Sequence, residues 1–201
     1  FDQAYGREIL SRAIPQEVSP HYGAVSVLYK AEEGKRREVV VGGYASPQVI
    51  DRERHLISRD AMARDLPRFL AHPKYRNVML LHSNVQVGEV LPEWTDPKTG
   101  KTFRTEVDDV GLFCVIKVRT DRYRPPIVDK VIEDIEDGKL AAFSVSGDAP
   151  IESRQYTCSD GRCFWLINEI VFYEITLCEE GVNQDARLVV LCGAYLHDVG
   201  N

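Results

Sequence analysis

The sequence predicts an α+β fold: a mainly antiparallel β-sheet or barrel covered by two or more helices. Strand-like runs outnumber helical ones, and they come mostly as hairpin-linked neighbours rather than in strict βαβ alternation. Two further stretches carry apolar residues at helical spacing. At 201 residues with 44% hydrophobic side chains, the chain suits one domain with a sizeable core. No apolar run approaches the roughly 18–20 residues of a membrane span, so no membrane partner is expected. A formal charge of −6 argues against a general nucleic-acid binder. The basic run Lys35-Arg36-Arg37 follows Glu32-Glu33 and reads as a solvated turn.

Residues 1–22 mix charges with Pro15 and Pro20 and read as an N-terminal arm or leader, with a single domain over 23–197. Residues 24–29 and 38–44 read as strands around a charged turn, with Gly42-Gly43 marking a bulge or close backbone approach. A polar loop over 45–57 carries Asp51 and His55. Ser58 caps a helix over 59–70, striped by Met62, Leu66, Phe69 and Leu70, which Pro67 kinks or divides. Strands follow at 76–82 and 85–93, then a turn at 95–102, then strands at 103–107 and 111–118. Pro125-Pro126 opens a second helix with the stripe Ile127, Val128, Val131, Ile132 and Ile135, which Gly138 ends. The stripe reads equally as core-facing or as a dimer contact. A strand at 138–147, a hairpin elaboration at about 152–168, a long strand at 164–178 and a last one at 188–192 complete the chain.

Three polar residues stand where these patterns predict burial. Ser144 lies in Gly-Lys-Leu-Ala-Ala-Phe-Ser-Val-Ser-Gly (138–147), His82 ends Val78-Met79-Leu80-Leu81, and Glu174 sits inside 170–177. A buried polar group without a partner costs roughly 2–7 kcal/mol. A hydroxyl, an imidazole and a carboxylate, each from its own strand, answer that cost together, and they are the groups of nucleophilic acyl transfer. Taken singly, each has a structural explanation; a small hydroxyl fills tight places in a strand. Ser146 shares a face with Ser144, because strand side chains alternate, and is a second candidate nucleophile. Glu174 is favoured over Glu169, which an unbroken strand points to the opposite face. Val145 and Gly147 would lie in the substrate or oxyanion vicinity, with Gly147 admitting substrate backbone.

The cysteine count is five. Cys114, Cys178 and Cys192 fall in apolar runs and read as buried thiols. Cys158 and Cys163 bracket Ser-Asp-Gly-Arg, across what reads as a four-residue hairpin loop. An unbonded or disulfide-linked pair is favoured over zinc, which would need a second pair of ligands. The two cysteines are therefore only weak metal candidates, and no cofactor is expected.

The order of motifs resembles the prohead maturation proteases of tailed bacteriophages. Gly43-Tyr44-Ala45-Ser46 leads to Asp51, then to a helix, then to a strand ending in His82 before Val87-Gly88-Glu89. Asp109-Val110-Gly111-Leu112 resembles that family's turn into a strand, and 138–145 its Gly-x-Leu-x-x-x-Ser nucleophile strand. Tyr173-Glu174-Ile175-Thr176-Leu177 with Asn183 and Ala186 is similar to its closing segment. The likeness spans roughly residues 40–192, and collinearity carries it rather than any one motif. Ser146 stands where the family usually has Gly, and Gln184 where it has Pro.

The resemblance implies a fold related to the herpesvirus assembly proteases and a serine endopeptidase with a Ser144, His82 and Glu174 triad. It implies capsid and scaffold proteins as substrates, processing and autoproteolysis inside the immature procapsid in the host cytoplasm, and a homo-oligomer such as a helix-mediated dimer. The alternative is a catalytically inactive capsid-assembly or scaffold-binding module of the same fold.

Overall fold

The computed structural model describes residues 26–33, 36–118 and 127–179. The expectations for 1–22 and 188–192 lie outside these. The chain runs β1 (Ser26–Glu33), β2 (Arg36–Pro47), β3 (His55–Ile57), α1 (Arg59–Ala71), β4 (Asn77–Leu80), β5 (Gln86–Leu91), β6 (Glu93–Thr95) and β7 (Thr102–Arg104). It continues with β8 (Glu106–Val107), β9 (Gly111–Val118), α2 (Ile127–Glu136), β10 (Ala142–Asp148), β11 (Arg154–Ser159), β12 (Arg162–Ile167) and β13 (Val171–Cys178).

The main sheet has the order β1-β2-β9-β5-β4-β13-β10, with β8 also paired to β9. Most pairs are antiparallel, but β4 runs parallel to β13, and β3 runs parallel to β12 in a second sheet β11-β12-β3. The sheet is therefore mixed. Five strand spacings of about 4.8 Å separate β2 from β10 along the sheet path, yet the two strands lie side by side. The sheet must curl to bring them together, and the core fills the hollow.

Helix α1 begins where Ser58 Oγ accepts the Ala61 amide at 3.2 Å. Its buried stripe of Ala61, Met62, Leu66 and Phe69 packs toward β13, β8 and β9, with the Phe69 ring edge-on to Phe172. Pro67 does not divide it. The helix runs unbroken from Arg59 to Ala71, with the ring on its exposed face. Helix α2 buries Val128, Val131, Ile132 and Ile135, worth about 1.5–3 kcal/mol each. That stripe faces the core, and Gly138 ends the helix at φ 70°.

Four other expectations change. The 45–57 loop is shorter, because β2 extends through Pro47 and His55–Ile57 pairs with β12. The turn at 95–102 tightens to Asp96–Lys101 between β6 and β7. The strand at 103–107 breaks at Thr105, whose hydroxyl donates to the Leu91 carbonyl and accepts the Val115 amide. The long strand at 164–178 divides between β12 and β13, which belong to different sheets. Glu169 thus lies in the connection, and alternation along one strand does not compare it with Glu174.

The cysteine hairpin also differs in its loop. Ser159 and Arg162 pair in the ladder, leaving Asp160-Gly161 as a two-residue turn, and the directly opposed Cys158 and Cys163 form a disulfide. The zinc alternative falls with it, since both sulfurs are bonded. Cys114 and Cys178 are buried, and the Cys178 thiol donates to the Ala142 carbonyl; burial pushes the Cys114 thiol far above its ordinary range.

Candidate active site

Strands β10 and β13 divide their side chains cleanly between two faces. Phe143, Ile175 and Leu177 enter the core, with Val145 packed against them. Ser144, Ser146, Glu174 and Thr176 share the other face, because Ser144 pairs with Thr176 and Ser146 with Glu174 in the ladder. Past that pair the register slips, so that Gly147 meets Phe172 and Tyr173 is the extra residue.

His82 reaches this face from the turn after β4. The Ser83 amide donates to the Leu80 carbonyl at 2.9 Å, and Leu81 and His82 hold φ of 50° and 54°. Both central residues are therefore left-handed, as in a type I′ turn. The Leu81 amide donates to the Leu177 carbonyl at 2.9 Å and ties the turn to β13.

One ring nitrogen faces all the partners. His82 Nδ1 lies 3.3 Å from Ser146 Oγ, 3.4 Å from Thr176 Oγ1 and 4.0 Å from Glu174 Oε1. The Thr176 hydroxyl also donates to Glu174 Oε1 at 3.2 Å, and so bridges imidazole and carboxylate. Thr176 is fully buried, Glu174 is 21% exposed and His82 41% exposed. Desolvation holds the His82 pKa below its ordinary value against the opposing pull of Glu174 and Glu53, which favours the neutral imidazole.

The structure brings His82, Glu174 and Ser146 together. It does not bring Ser144 to His82: Ser144 is 7% exposed beside Thr176, and among the described residues no hydrogen bond joins it to the imidazole. Gly147 has a reason of its own, since a Cβ there would stand 2.6 Å from the Val171 carbonyl oxygen. The close approach is made by the protein's own strand.

Thr176 hydrogen-bonds to both His82 and Glu174, and the Glu53 charge bears on His82; the sequence reading singled out neither. Thr176 was accessible by counting two residues on from Glu174 along a strand. Glu53 needed the fold. Asp51 Oδ1 accepts the Glu53 and His55 amides at 2.9 and 2.7 Å and shapes the loop, and Glu53 Oε2 lies 3.6 Å from His55 Nδ1. Burial raises the Asp51 pKa to about 6, although those amide bonds favour the charged form. The pair with Glu53 raises His55 above its ordinary value and lowers Glu53, which also feels the His82 charge.

Among the described residues no group of three or more His, Cys, Asp or Glu is placed to hold a metal ion, and no helix is long and apolar enough to cross a membrane. A curled mixed sheet carrying a hydroxyl, an imidazole and a carboxylate on one face is thus what the described fold presents. No family model matches the chain, and no curated protein matches it. Among solved structures the chain is similar to the capsid assembly protease gp21 of bacteriophage T4, at TM-score 0.49 and 12% identity, covering 78% of this chain and 92% of that one.

Proposed function

We propose that the chain is a serine endopeptidase in which His82 is the general base, Glu174 its charge partner and Ser146 the nucleophile. The observation that carries the reading is the convergence of Ser146, Thr176 and Glu174 on His82 Nδ1. Neutral His82 with its proton on Nε2 accepts the Ser146 proton at Nδ1 as Oγ attacks the scissile carbonyl. The new Nδ1–H then donates to Thr176 Oγ1, whose own proton is committed to Glu174. The carboxylate stabilises the imidazolium through that hydroxyl and by its charge. The proton next passes to the leaving amine, and water repeats the sequence on the acyl-enzyme. Distances of 3.3–3.4 Å are long for proton transfer, as catalytic hydrogen bonds often are in the absence of substrate.

The resemblance in motifs supports capsid and scaffold proteins as substrates and the immature procapsid as the place of action. It also supports Ser144 as nucleophile, and the geometry favours Ser146 instead. A serine-directed phosphonate followed by peptide mapping decides. An adduct on Ser146, lost in Ser146→Ala and kept in Ser144→Ala, is the expected result. An adduct on Ser144 returns the role to that residue. Labelling of neither, in protein whose fold is intact, favours the non-enzymatic capsid-assembly or scaffold-binding module.

A further inference from the structure

We propose that Asp65 and Arg68 of α1 form a positioning clamp on β13 that sets where Glu174 stands relative to His82. The inference rests on the reading of His82 and Glu174 as base and charge partner.

Strand β4 pairs with β13 only from Asn77 opposite Glu174 onward. Two residues earlier on β13, at Phe172, the position that β4 would fill is vacated, because the preceding chain turns with the Tyr75 amide bonded to the His72 carbonyl. Side chains from α1 take that place. Asp65 Oδ2 accepts the Phe172 amide at 2.7 Å, and Arg68 Nη2 donates to the Phe172 carbonyl at 2.7 Å. One residue thus has its N–H and its C=O bound by two side chains, as a neighbouring strand would bind them. The two side chains also lock each other, through Arg68 Nε to Asp65 Oδ1 at 2.5 Å and Arg68 Nη2 to Asp65 Oδ2 at 2.8 Å. Asp65 is only 8% exposed, and the Arg68 guanidinium lies 5.2 Å from the Tyr75 ring centroid.

The place that is clamped matters. Phe172 adjoins the extra residue Tyr173, where the β10–β13 register slips, and Glu174 comes next. A bulge is the point at which a strand can shift or re-aim its side chains. Fixing Phe172 on one side of it, while β4 fixes Glu174 onward on the other, leaves one position for the carboxylate. The Tyr173 hydroxyl donates to Asp148 Oδ2 at 2.6 Å and pins the bulged residue itself to β10. A carboxylate and a guanidinium suit this better than apolar side chains, because both backbone groups at Phe172 need partners.

The test reads the coupling between Glu174 and His82 without relying on turnover. The His82 ring is titrated by NMR in the full chain, with Glu174→Gln added to the wild type, to Asp65→Asn and to Arg68→Lys. Glu174 and Glu53 are the carboxylates that raise the His82 pKa. In the wild-type background Glu174→Gln is expected to lower it measurably. In either clamp variant, once folding is verified by circular dichroism, the same change is expected to lower it by less than half as much. An equal decrease in all backgrounds overturns the clamp, as does no decrease in the wild type. Phosphonate labelling of the wild type is run in parallel. Its failure would count against the peptidase reading and leave the NMR result to decide the clamp.

Discussion

Among the described residues, two turns have both central residues at positive φ, and they are built from opposite materials. At the tip of the β11–β12 hairpin the residues are Asp160 and Gly161, at φ 51° and 75°. An Asp-Gly pair is what a type I′ turn asks for, and a disulfide closes the strands one ladder pair further on. After β4 the residues are Leu81 and His82, at φ 50° and 54°. A left-handed backbone costs a side-chain-bearing residue roughly 1–2 kcal/mol, and a bulky one such as Leu is a true outlier there. The unstrained turn carries no candidate chemistry. The strained one holds the imidazole over the seam of β10 and β13. Strain kept at the turn that presents the imidazole, and absent at the hairpin tip, is what the proposed role of His82 as base requires.

The largest effect that tests this contrast is in His82→Gly. Turnover and phosphonate labelling should fall by about four orders of magnitude or more. The folded state should nevertheless gain about 0.5–1 kcal/mol, since relief of the left-handed backbone exceeds the added freedom of the unfolded chain. A loss of stability in denaturant titration would mean that the strain has been misread. Gly161→Ala, at the other turn, should cost about 1–2 kcal/mol and leave the labelling rate within twofold. A large fall in labelling there would break the separation between the two turns.

Leu81→Gly sharpens the contrast further. The side chain is 41% exposed, so the burial it forfeits offsets the relief of the left-handed backbone, and stability should change by less than about 1 kcal/mol. The smallest effect is in pH dependence. His82 has its folded pKa depressed below its unfolded value of about 6.5. The unfolded chain therefore binds more protons in that window, and the stability His82 supports is present above pH 6.5 and lost as pH falls through the folded pKa. The stability difference between wild type and His82→Gln should decline over that range, and the acid limb of kcat/KM should fall in the same window. An acid limb centred above pH 6.5 would contradict the depressed pKa.

The features readable in the sequence are those set by neighbours along the chain. The stripes of Met62, Leu66 and Phe69 and of Val128, Val131, Ile132 and Ile135 bury one face of each helix, and periodicity exposes that directly. Alternation along β10 likewise tells that Phe143 and Val145 share one face and Ser144 and Ser146 the other. The break at 168–170 was hidden, because Ile167, Ile170 and Phe172 keep the run apolar while the chain changes sheets. The left-handed turn at Leu81 and His82 was hidden as well, since neither residue advertises a positive φ.

The sequence by itself determined which side chains share a face, because that follows from a two-residue repeat. Only the tertiary structure decided which serine meets His82. That choice depends on the parallel pairing of β4 with β13, the register slip at Tyr173 and the turn that lifts the imidazole to Ser146. Each joins residues far apart in the chain, and a local pattern carries no record of such distant partners.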